Sequence, residues 1–145
     1  MKVDGRHVPY DDATGKPLKT GDTIKGKITI GWGRNIQDMG VSDDEATVML
    51  QGDIDRVTAE IRKALPWFDG LDAVRQDALV NLGFNLGVLT GNPPKLLTFK
   101  GTLAAFEAHD WETVCCRLDA TLWRKQVGHR ADELMAMIRT GLYQE

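Results

Sequence analysis

The stretch SDDEATVMLQGDIDRVTAEIRKALP, residues 42–66, decides the fold class. Ser42, with Glu45 three residues later, forms a capping box in which each side chain satisfies a free backbone N–H near the other. Asp43 and Asp44 add negative charge at the positive end of a helix. Apolar residues then recur at Ala46, Leu50, Ile54, Val57, Ile61 and Leu65, the three-and-four spacing that lines one helical face. Pro66 cannot continue the run. At ~1.5 Å per residue the predicted helix over 42–65 is more than ~30 Å long, about the width of a small domain, and is long enough to connect two lobes.

Upstream of this helix the chain changes character. The first forty residues are rich in Gly, Asp, Thr and Lys, with turn signals at Thr14-Gly15, Lys16-Pro17 and Thr20-Gly21-Asp22, so hairpins and loops are expected. Within them Lys27 to Gly33 alternates, placing Ile28, Ile30 and Trp32 on one face of a strand and Thr29, Gly31 and Gly33 on the other. That second face is bare, and its glycines are expected to permit close approach of another backbone or of a ligand.

Downstream the pattern stays helical. A helix is expected from about Asp72, with Val74, Ala78, Leu79, Leu82 and Leu86 inward and Gly87 as its stop. Gly91-Asn92-Pro93-Pro94 breaks the chain, and helices follow at about 98–108, 111–120 and 130–140, the last ended by Gly141. The expected class is therefore α+β, mainly α. A single domain over 1–145 divides into a β-rich lobe (1–41), a connecting helix (42–65) and a helical lobe (66–145).

Composition excludes several function classes. With 145 residues, 42% of them hydrophobic, the chain supports one substantial core. No apolar run approaches a membrane span, and Met-Lys-Val-Asp-Gly-Arg-His at the start has no signal-peptide character, so a soluble protein made in the cytoplasm, without membrane insertion, is expected. Cys115 and Cys116 are adjacent in a helical segment and point in different directions, which argues against a disulfide between them. His7, His109 and His129 stand singly, so neither a metal nor another cofactor is expected. The formal charge of −3 argues against nucleic acid as a partner.

A β lobe facing a helical lobe suits an extended polymer lying between them. The chemistry would come from polar side chains on the facing loops. The richest candidates are Asp11-Asp12, just after Tyr10, and Thr29, flanked by the small-residue face. Each has a plainer reading: paired Asp residues before Ala-Thr-Gly more often form turns, and Thr in a strand is usually there for its shape.

The order of motifs favours the chemical reading. Pro-Tyr-Asp-Asp-Ala-Thr-Gly (9–15) followed by Thr-Ile-Gly-Trp-Gly-Arg-Asn (29–35) resembles the signature of bacteriophage-type lysozymes, glycoside hydrolase family 24. Leu71 to Gln76, Asn81 to Gly87, Trp123 with Gln126, Arg130 and Ala131, and Arg139-Thr140-Gly141 are similar to successive later segments of that family. The resemblance implies a lysozyme-like two-lobed fold and inverting hydrolysis of the β-1,4 bond between N-acetylmuramic acid and N-acetylglucosamine in peptidoglycan. It implies Asp12 as the carboxylate that activates water, Thr29 as its partner, Phe84, Asn85 and Gly87 as substrate contacts, and Arg130 as the partner of the general acid. The core reading of Phe84 stands ahead of the substrate one. It also implies accumulation in a host cytoplasm before release to the wall through a membrane opened by a separate holin.

The acid is the point of departure. No Glu occurs before position 45, so the acid is either Asp4, in Asp4-Gly5, or absent. Aligning Asp4-Gly5 with the family's Glu-Gly requires a one-residue deletion; without a gap Val3 takes the position. The family's first helix has no counterpart ahead of Tyr10, which leads to the expectation of an uncovered apolar stripe on the helical lobe, and of lower stability or a homodimer that covers it. A homologue that binds wall glycan without cleaving it is the alternative function.

Overall fold

A computed structural model describes residues 1–88 and 95–145. The Gly91-Asn92-Pro93-Pro94 break lies outside the described residues. The chain forms two compact units, Met1–Met49 and Leu50–Glu145. Its class is α+β with helix predominating.

The first unit begins with strands β1 (Lys2–Val3) and β2 (Arg6–His7), an antiparallel hairpin closed by Asp4-Gly5. Both loop residues have positive φ, 50° and 78°, as a type I′ turn requires, and Asp-Gly is among the pairs that adopt it readily. A four-stranded antiparallel sheet follows. Its strands are β3 (Tyr10–Asp11), β4 (Lys16–Pro17), β5 (Ile28–Ile30) and β6 (Arg34–Asn35), in the order β4-β3-β5-β6. Tyr10 faces Thr29, and Thr29 faces Asn35 across the other edge of β5.

The expected strand over 27–33 is thus shorter, and the glycines serve a different purpose. Gly31 (φ 66°) and Gly33 (φ 106°) turn the chain between β5 and β6, and a Cβ at either would meet nothing within 4 Å. They provide left-handed backbone rather than room for a neighbour. Trp32 lies between them at the turn, 90% exposed, with the edge of the His7 ring against it. Thr29, expected on a bare face, is the buried residue of β5.

A short helix, α1 (Ile36–Met39), is capped by the Asn35 side chain and leads into α2 (Asp43–Ala64). The capping box forms as expected. Glu45 N–H donates to Ser42 Oγ at 3.2 Å, and Ser42 N–H to Glu45 Oε2 at 2.8 Å. The Arg34 guanidinium joins β6 to this helix start, donating to the Gly40 carbonyl at 3.0 Å and to both oxygens of Glu45.

In the second unit α2 continues, burying Val57 and Ile61, with Leu65 buried just beyond its end. Ala46 and Leu50, the first members of the expected stripe, are exposed. Helix α3 (Ala73–Leu86) is capped by Asp72, whose side chain accepts from Arg75 N–H, and ends at Gly87. Gly83 in α3 packs so closely that a Cβ there would stand 3.0 Å from Ile61 and 3.1 Å from Val57 and Val88. Helices α4 (Lys100–Glu107), α5 (Trp111–Asp119), α6 (Leu122–Val127) and α7 (His129–Thr140) complete the unit. Sequence periodicity misses α6, which is a turn and a half long. Its local signals are the Thr121 side chain accepting from Arg124 N–H and Gly128 at the end.

Helix α5 packs against α4, α6 and α7, while α3 packs against α7. Arg75 in α3 fastens the end of α7, donating to the carbonyls of Ile138 at 2.7 Å and Arg139 at 3.1 Å. Those carbonyls have no partner within their own helix, so a cation supplies both the hydrogen bonds and the favourable charge. The other face of Arg75 lies 4.0 Å from the Trp111 ring centroid. Cys115 is buried and Cys116 exposed, both as free thiols. Phe106, fully buried in this core, is the most direct test of it. Phe106→Ala is expected to cost about 3–5 kcal/mol, read as a lower denaturation midpoint with an unchanged slope.

Candidate active site

The acidic pair divides its work. Asp11, 3% exposed, points inward, and its carboxylate accepts three backbone N–H groups: Ala13 at 2.9 Å, Lys25 at 2.7 Å and Gly26 at 2.9 Å. This is the turn-forming reading of an Asp before Ala-Thr-Gly, extended across fourteen residues of chain. The Lys25 hydrogen bond, against the opposing effect of burial and with help from Ala13, Gly26 and the Lys25 charge, holds the Asp11 carboxyl below its ordinary range. Asp12, the next residue, is exposed.

Asp12 and Thr29 meet at the main chain of Lys27. Lys27 N–H donates to Asp12 Oδ1 at 2.6 Å, while the Lys27 carbonyl accepts from Asp12 N–H at 3.1 Å and from Thr29 Oγ1 at 3.3 Å. The Thr29 hydroxyl spends its one proton there, leaving its oxygen able to accept. Asp12 Oδ2 has no protein donor among the described residues. The pair therefore offers two acceptors, on a carboxylate and a hydroxyl, held to one short segment of backbone. Gly26 is essential to the arrangement, because a Cβ there would overlap Asp12 Oδ1 and stand 2.8 Å from Ala13 N.

The other expected site residues are placed as follows. Asp4 is exposed at the tip of the β1–β2 turn. Phe84 is 42% exposed, so the core reading ahead of it fails. It lines a groove of about 400 Å³ with Leu50, Ile54, Val80 and Asn81, edged by Asp77 and Arg130. Asn85 turns its amide to its own helix, donating to the carbonyl and side-chain oxygens of Asn81 at 2.8 and 2.7 Å. Gly87 has φ 78° and returns its N–H to Gly83, so its conformation is that of a helix stop. Arg130 is exposed near the start of α7, with no ion-pair partner among the described residues.

Sequence reasoning named Asp11 within the acidic pair, with a turn-forming reading beside the catalytic one, and missed Gly26 and Lys27. The Asp11 interaction carries its own test. Because the folded carboxyl titrates below its ordinary value of 3.8, its stabilisation is complete above about pH 4 and is lost as pH falls through the lowered folded value. Asp11→Asn is expected to lower the melting temperature at neutral pH, the gap from wild type shrinking below pH 4. Melting curves between pH 2 and 7 check this.

Comparison with known proteins agrees with the motif order. The phage lysozyme family model matches residues 6–139. A relative from Dictyostelium discoideum, described as "Probable T4-type lysozyme 1", is 24% identical over 104 residues, covering 70% of this chain. The chain spans 58% of that relative's length. With a family match running from β2 to the end of α7, the chain belongs to the phage lysozyme family.

Proposed function

We propose that this protein is a peptidoglycan hydrolase that cleaves the β-1,4 bond between N-acetylmuramic acid and N-acetylglucosamine with inversion. The observation that carries this reading is the Asp12–Thr29 pair, fixed to the backbone of Lys27 in a chain of this family. A water seated against the pair donates one proton to the Asp12 carboxylate and the other to Thr29 Oγ1. Its lone pairs are then directed at the anomeric carbon, and Asp12 takes the proton as the new bond forms. In the helical unit, the family resemblance assigns substrate contacts to Phe84, Asn85 and Gly87, and of these Phe84, 42% exposed, is the one whose side chain offers an apolar surface to a sugar ring.

The leaving oxygen needs a proton, and Asp4 is the candidate donor. A general acid must hold its proton near neutral pH, usually through burial or a neighbouring negative charge. Asp4 stands exposed on a turn. That observation favours a second reading, in which the chain binds wall glycan without cutting it.

Release of reducing ends by the wild type separates the two, and one substitution tests the acid. Asn-Gly adopts a type I′ turn as readily as Asp-Gly, so Asp4→Asn removes the acid and keeps the hairpin. With Asp4 as the acid, release of reducing ends from purified peptidoglycan falls about a hundredfold or more. An unchanged rate removes Asp4 from the mechanism. Asp12→Asn is expected to cause a similar fall, and NMR of fresh product is expected to show the α-anomer first. Affinity for glycan oligomers with no new reducing ends from wild type would establish the binding reading.

A further inference from the structure

The main chain of Lys27 holds both Asp12 and Thr29 on the loop that enters β5, and the Asp11 carboxylate fixes that loop on one side through the N–H groups of Lys25 and Gly26. The Lys27 side chain adds an anchor on the other side. Lys27 Nζ lies 3.0 Å from Asp38 Oδ2 and 3.1 Å from Oδ1. Asp38, in α1, is held in turn by Asn35, whose Nδ2 donates to Asp38 Oδ2 at 2.9 Å and whose Oδ1 accepts from Asp38 N–H at 3.1 Å. Asn35 faces Thr29 across the β5–β6 ladder, and the Gln37 side chain of α1 accepts from Ile28 N–H at 3.3 Å. The contacts close a ring from Lys27 through Asp38, Asn35 and Thr29 back to Lys27.

We infer that the Lys27–Asp38 ion pair is a positioning device for the Asp12–Thr29 pair, holding the backbone donor and acceptor of Lys27 at a fixed place and angle. Neither side chain is assigned a contact with substrate. The two are 46% and 49% exposed, and ion pairs this open to water add little to stability, so geometry is the function left to them. The Lys27 ammonium, followed by the Asn35 amide, holds the Asp38 carboxyl below its ordinary range.

The inference rests on the proposed reaction for its catalytic meaning, and the test therefore has two readouts. Lys27→Met and Asp38→Ala each loosen the ring from a different side, while Lys27→Arg keeps the charge. The first two are expected to lower kcat about tenfold to a hundredfold with KM and melting temperature little changed, and Lys27→Arg to keep most of the rate. In amide correlation spectra, the Lys27 N–H resonance, shifted by its short bond to Asp12, is expected to move in Asp38→Ala while core amides such as that of Leu82 stay in place. Movement of this resonance in a protein whose wild type releases no reducing ends supports the positioning role and refutes the proposed reaction. An unmoved Lys27 resonance, an unchanged kcat in an active protein, or a loss tracking only a fall in melting temperature would each overturn the inference.

Discussion

A carboxylate taken out of water must be given donors, and in the β-rich unit the buried Asp11 takes three from the backbone. Two of them, Lys25 and Gly26, lie on the far side of a long excursion of chain. By drawing them in, Asp11 brings Gly26 against Asp12 and presents the Lys27 N–H to the Asp12 side chain. The exposed carboxylate is in place because the buried one is satisfied. Two adjacent residues of one type thus do opposite things, one as internal cross-link and the other facing solvent.

The same economy appears around Lys27, whose N–H, carbonyl and ammonium each engage a different partner. Few of the interactions in this unit come from apolar packing; its strands are two or three residues long and its order comes from polar contacts between loops. The helical unit is held differently. There the core is apolar, Gly83 permits a close helix contact, and a single cation, Arg75, satisfies the carbonyl end of α7.

Much of the helical part of the chain was legible in the residues. The capping box at Ser42, the stop after Leu65, the Asp72 cap and the Gly87 and Gly141 ends are local signals, and each appears where the spacing put it. The first unit was less legible. The Asp4-Gly5 pair carries a hairpin signal of its own, and the β1–β2 turn forms there. The alternation over 27–33 predicts a strand longer than the one that forms, because Gly31 and Gly33 take positive φ and turn the chain instead of forming a small-residue face.

The sequence by itself determined the longer helices, their caps and the family, since periodicity and end signals lie in residues near one another and motif order is read directly along the chain. Only the tertiary structure decided which Asp is buried, why Gly26 must lack a side chain, and that Thr29 and Asp12 share the backbone of Lys27. Those outcomes depend on hydrogen bonds between residues about fifteen apart, across a loop whose path no local pattern specifies.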